Sequence, residues 1–159
     1  MNKIGIIMGS DSDLPIAEKA IEKLAEYGIN YEVHVYSAHR TPEETIRFAK
    51  EARQNGFDAL IGIAGKAAHL AGVIAANTTL PVIGVPVNSS LEGMDALLST
   101  VQMPPGIPVA TVGIDGAANA AILAAEILAV SDEKLAQLLL KKRIEAKEAV
   151  LEKNHRIEE

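Results

Sequence analysis

The sequence predicts an α/β fold: a doubly wound, five-stranded parallel sheet between two layers of helices, closed by a C-terminal helix. Three observations carry this. Short apolar runs alternate with longer amphipathic ones, the alternation that builds parallel strands joined by right-handed helical crossovers. The short runs are apolar at consecutive positions, as in strands buried on both faces. At 159 residues, 48% hydrophobic and 23% charged, the chain suffices for one core that buries roughly 70% of the unfolded surface. Five strands connected in this way most economically take the order 2-1-3-4-5, the flavodoxin-like arrangement. No repeat, linker or low-complexity tract interrupts the pattern, so residues 1–159 read as a single domain.

The run Ile4-Gly5-Ile6-Ile7-Met8 is the first strand. Residues 14–27 then set Ile16, Ala17, Ala20, Ile21 and Leu24 on one helical face, with Gly28 as the stop. Tyr31 to Tyr36 forms the second strand. Thr41-Pro42-Glu43-Glu44 reads as a helix start with Thr41 as N-cap, Pro42 in the first turn and Glu44 as capping-box partner. That helix is expected to end near Gly56. Ala59 to Ile63 is the third strand, followed by a small-residue helix over 67–77. Pro81 to Val85 and Val109 to Ile114 are the fourth and fifth strands, separated by a Pro- and Gly-containing segment with a short helix at 94–100. A helix over 118–129, apolar almost all round, is expected to be buried. Ser131 caps a last, Lys- and Glu-rich helix, about 132–153.

Composition narrows the function classes. With no cysteine, disulfides, thiolate metal sites and cysteine nucleophiles are excluded. A net charge of −6 argues against a nucleic-acid binder. The first strand starts almost at Met1, leaving no room for a signal peptide. The longest apolar stretch, 117–130, is too short to span a bilayer and contains Asn119 and Glu126. A cytoplasmic protein is expected. Small residues abound in the late helices and aromatics number five, a pattern that favours oligomerisation over a helix buried within one chain.

In a doubly wound sheet, ligands bind at the carboxyl ends of the strands beside the topological switch point. The order 2-1-3-4-5 brings three loops together there: Gly9-Ser10-Asp11-Ser12-Asp13, Ser37-Ala38-His39-Arg40, and Ala64-Gly65-Lys66-Ala67-Ala68-His69. Most of the polar chemistry not needed for structure sits in them. Ser12 or Asp13 is a possible cap for the first helix, yet that needs only one of the two. Serine hydroxyls and free N–H groups at a helix start suit a phosphate, whereas Asp13 suits sugar hydroxyls. Arg40 is unfavourable beside a helix N-terminus, which points to an anionic partner or to a solvated side chain. An imidazole, with an ordinary pKa of about 6.5, lets His39 give and take a proton near neutrality. His69 reads as a packing residue of the small-residue helix. His34 and His155 mark no site, no His or carboxylate pair has metal-ligand spacing, and the third loop matches neither the P-loop nor the dinucleotide fingerprint.

Four segments, Met8 to Asp13, Ser37 to Pro42, Ala64 to Leu70 and Val101-Gln102-Met103-Pro104, resemble the PurE family, the 5-(carboxyamino)imidazole ribonucleotide mutases of de novo purine synthesis. The resemblance runs from about Lys3 into the last helix. It implies a homo-octamer that uses no metal or organic cofactor and moves a carboxylate from nitrogen to a ring carbon of an aminoimidazole ribonucleotide. It implies His39 as general acid/base, Ser10, Asp13 and Arg40 as substrate-binding residues, and Ser12 and Ser37 as supports for phosphate and carboxylate. The loop Gly65, Lys66, Ala67, His69 and Leu70 would close over the base and the migrating group. The chemistry suits the residue types: a carbamate releases CO2 once the ring is protonated at carbon, that carbon recaptures it, and a proton leaves. One histidine serves both proton steps, and a Gly- and Ala-lined pocket excludes water.

Two positions depart from the mutase pattern. Lys66 stands where a second glycine is usual, and Ala71 where proline is. The related carboxylases that use CO2 directly tend to carry a basic residue at the Lys66 position but lack a histidine like His69. The mutase is therefore the leading expectation, and a solvated loop lysine the plain alternative for Lys66. The direct carboxylase and a non-catalytic nucleotide-binding module on the same fold stand as alternatives.

Overall fold

A computed structural model describes residues 2–158, so the ends of the expected 1–159 domain, Met1 and Glu159, lie outside the described residues. Strands β1 (Lys3–Met8), β2 (Asn30–Val35), β3 (Ala59–Gly65), β4 (Val82–Val87) and β5 (Ala110–Thr111) alternate with helices α1 (Leu14–Glu26), α2 (Pro42–Glu51), α3 (Leu70–Ala76), α4 (Met94–Val101) and α5 (Ala117–Ala129), and α6 (Glu133–Glu158) follows. All pairings are parallel and the order is β2-β1-β3-β4-β5, as expected from the alternation.

The pleat divides the core into two. Ile4, Ile6 and Met8 point to the side covered by α1, α5 and the start of α6, where Ala120, Ala121 and Ala124 pack without exposure. Ile7 and Leu60 point to the other side, against Ala49 of α2 and Leu70, Ala71 and Ile74 of α3. Close approach there depends on small residues. A Cβ at Gly84 would lie 2.3 Å from Thr100 Cγ2 and 3.3 Å from Ala71 Cβ. At the end of α1 the chain turns through Gly28 at φ 67, with Ile29 N–H donating to Leu24 O, the left-handed stop expected of that glycine.

Several local expectations fail for definable reasons. Thr41 stands at the N-cap of α2 but forms no capping box: its hydroxyl accepts from Ser37 N–H at 2.8 Å and donates to Ser37 O, so it is spent on the preceding loop. That helix stops at Glu51, and a turn leads to Gly56. Asp13, not Ser12, stands at the N-cap of α1 but makes no side-chain capping bond; Ser10 caps a short 3-10 turn, Asp11–Asp13, that feeds the helix. The small-residue helix begins at Leu70 rather than 67. The fifth strand has two residues instead of six, because the ladder would next need an N–H from Pro86 of β4, which has none. Asp132, not Ser131, caps α6, its Oδ1 accepting from Leu135 N–H at 3.1 Å. With no Gly or Pro to stop it, α6 runs to Glu158.

Candidate active site

The loops after β1, β2 and β3 meet at the carboxyl end of the sheet around a cleft of about 570 Å³. Its walls include every residue singled out from the sequence: Ser10, Ser12, Asp13, Ser37, His39, Arg40, Gly65, Lys66, Ala67, His69 and Leu70. Ser89, after β4, joins them and was missed as a site residue. The signal was topological: β4 neighbours β3, so its loop must end beside Gly65, where an added Cβ would lie 2.5 Å from Ser89 Oγ. A larger cavity, about 910 Å³, lies at the opposite end of the sheet among Arg53, Thr79, Leu80 and Ile107. It holds no histidine or carboxylate and lies away from the switch point, where ligands of such sheets bind.

Each loop is built for its position. In the first, Ser10 Oγ accepts from Ser12 N–H at 3.3 Å and from Ser12 Oγ at 3.0 Å, which gathers two hydroxyls at the start of the turn leading into α1. Asp13 is buried, and burial pushes its carboxyl above the ordinary value of 3.8, against a lowering hydrogen bond from Ser10. A buried carboxylate is kept ionised by donors, and sugar hydroxyls are such donors.

In the second loop Thr41 fixes Ser37, and Ser37 Oγ accepts from Arg40 N–H at 3.1 Å and Nε at 3.4 Å. Arg40 Nη2 donates to Gly9 O at 3.0 Å, strapping the second loop to the first. No carboxylate pairs with Arg40 among the described residues. Its guanidinium retains donors for an anion beside the two serine hydroxyls.

The third loop is tightly wound. Lys66 adopts φ 55, and Ala68 N–H donates to Lys66 O and His69 N–H to Ala67 O, both at 2.8 Å, the three-residue turns of a γ type. This winding sets His69 at the N-cap of α3 with its ring exposed. His69 is therefore not a packing residue. Its Nδ1 lies 2.7 Å from Nε2 of His39, with the rings edge-on at 89°. One nitrogen must donate and the other accept, so the tautomers of the two rings are coupled.

The cleft thus presents two serine hydroxyls and a guanidinium at one end, a buried carboxyl group at Asp13, and two imidazoles in hydrogen-bond contact. Small residues, Ala38, Ala64, Gly65 and Ala67, line the rest. Among the described residues no cluster of three His, Asp or Glu could hold a metal ion, and no helix is long and apolar enough to cross a membrane.

Comparison with known proteins gives concordant matches. The model of the AIR carboxylase family matches residues 3–149. The N5-carboxyaminoimidazole ribonucleotide mutase of Methanocaldococcus jannaschii is 56% identical over 156 residues, 98% of each chain. The Bacillus subtilis protein of the same name is 52% identical over 157 residues, 97% of each. The crystal structure of Treponema denticola PurE superposes with a TM-score of 0.87 at 30% identity, covering 98% of each chain.

Proposed function

The chain belongs to the AIR carboxylase family, and on that premise we propose that it acts in de novo purine synthesis as an N5-carboxyaminoimidazole ribonucleotide mutase. In this reading it converts the carbamate into 4-carboxy-5-aminoimidazole ribonucleotide. The observation that carries it is the coupled His39–His69 pair set between an anion site and a small-residue pocket. Arg40, Ser10, Ser12 and Ser37 hold the phosphate, and Asp13 accepts from the ribose.

The bond between nitrogen and the carboxyl group breaks, releasing CO2, and the ring carbon then captures that CO2 through its π electrons. His39 protonates the ring carbon so that the nitrogen–carboxyl bond breaks with its electron pair left on nitrogen, and takes that proton back to restore the carbon's π electrons before the carbon captures CO2. The nitrogen ends with the hydrogen that the carbon gives up, and His39 ends as it began. The atoms and electrons balance without an oxidant, reductant or nucleotide triphosphate. Gly65, Ala67 and Leu70 cover the base, and a small apolar pocket slows the escape of CO2 and the entry of water.

Residues 1–159 act as one catalytic domain in a cytoplasmic homo-oligomer, an octamer by family resemblance. Apolar side chains left exposed support assembly: Leu91, Met94, Leu98 and Val101 on and before α4, and Leu140, Ile144 and Leu151 on α6. Such contiguous faces are uncommon on monomers.

The test is turnover by purified protein without ATP or metal. Freshly prepared N5-carboxyaminoimidazole ribonucleotide at low bicarbonate should be converted quickly. Turnover only of aminoimidazole ribonucleotide with bicarbonate would make the protein a direct carboxylase, and silence with both would leave a binding module.

A further inference from the structure

We propose that Lys66 is the specificity-determining cation of the cleft, pairing with the carboxyl group in transfer while Arg40 holds the phosphate. This rests on the mutase reading for the identity of the ligand. The first observation is conformational. Lys66 holds φ 55, a region that favours glycine, so the backbone alone would be better served by the smallest residue.

The second observation is placement. Arg40 follows β2 and Lys66 ends the run from β3, with β1 between them. Their backbones lie two strand spacings apart, about 10 Å, with the Arg40 guanidinium at Gly9, just past β1, and the His39–His69 pair in the same cleft. A ribonucleotide carrying a carboxylate on its base is anionic at both ends, and the cleft offers one cation for each. Arg40 is held between the first two loops by its bonds to Ser37 and Gly9.

The third observation concerns the partner of Lys66. No carboxylate lies within ion-pair distance of it among the described residues. Its charge reaches Asp95, whose carboxyl is held below its ordinary value first by the Ser90 hydroxyl, at 2.5 Å, and least by Lys66. Asp95 is thus satisfied by Ser90 and by Ala96 N–H and does not consume the lysine. The ammonium remains available to a ligand carboxylate.

Calorimetry separates this role from a structural one. The probes are 4-carboxy-5-aminoimidazole ribonucleotide and aminoimidazole ribonucleotide, which lacks the carboxylate. Lys66→Met should weaken the carboxylated ligand about tenfold or more, the scale of a lost charge-assisted hydrogen bond, and leave the other unchanged. Arg40→Ala should weaken both alike, and Lys66→Arg should retain the preference. Lys66→Gly should show the same selective loss with an undiminished melting temperature, because glycine suits φ 55, so misfolding cannot mimic the effect. Unchanged affinity in both Lys66→Met and Lys66→Gly, or an equal loss for both ligands, would overturn the proposal. Turnover by the unaltered protein is read separately, so failure of the mutase reading leaves the binding result interpretable.

Discussion

His39 and His69 come from loops thirty residues apart, and the bond between them couples the tautomers of the two rings. In the proposed mechanism His39 moves the proton, so His39→Asn should lower kcat by about 10²–10⁴, with ligand affinity largely kept. His69→Asn removes only the partner that orients that ring; kcat should fall less, by about tenfold, with an altered pH profile and little change in KM. Equal losses in both would make His69 a second proton carrier. Asp13 yields a prediction of a different kind. Because burial raises its folded pKa, ionisation costs stability: the penalty is absent well below pH 3.8 and grows as pH rises above it. Asp13→Asn should therefore raise the melting temperature at pH 7 and have no effect at pH 3, while weakening ribonucleotide binding. At this scale the sequence was informative about which residues line the cleft, since polar side chains clustered in the loops at the strand ends. It did not reveal the histidine pair. His69 follows a run of alanines that resembles a helix face, and only the γ-type winding at Lys66 and Ala67 turns its ring outward.

Among the elements, β4 and α3 illustrate how glycine sets a packing distance. Gly84 sits beneath Thr100 of α4 and Ala71 of α3, so Gly84→Ala overpacks a sheet strand buried at every position. A loss of about 1–3 kcal/mol is expected in denaturant unfolding; a neutral result would show that α3 and α4 can move outward. Helix α6 is held differently. Only Leu135 and Leu139 are buried, and Glu26 of α1 receives Lys142 at 2.7 Å. Hydrogen bonds from Lys142 and then Lys23 pull the Glu26 carboxyl down to about 2. The folded pKa is depressed, so this contribution is present above pH 4.5 and lost as pH falls towards 2. Glu26→Gln should lower the melting temperature slightly at pH 7, as exposed ion pairs do, and the difference from the unaltered protein should vanish near pH 2. Strand and helix positions were legible because buried parallel strands and amphipathic helices have different periods. Their ends were not. Thr41 and Ser131 look like caps, but a hydroxyl is claimed by whichever N–H the tertiary fold brings nearest, here Ser37 for Thr41.

For the whole molecule, the alternation of the chain specified both the sheet order and the end at which the loops converge. What one chain does not specify is what covers α4 and the outer half of α6, whose apolar residues make no core of their own. Assembly of identical chains would cover them and further enclose a cleft that must retain CO2 between bond breaking and bond formation. In the proposed mechanism the carboxyl group is transferred within this cleft. This is tested by supplying substrate labelled with carbon-13 at the carbamate carboxyl, in unlabelled bicarbonate, and measuring label in the C-carboxylated product during the first turnovers. The product should keep most of the label, with His39→Asn giving little product at all. Label diluted to the level of the surrounding bicarbonate would contradict the mechanism, because the carboxyl group would then have passed through solution.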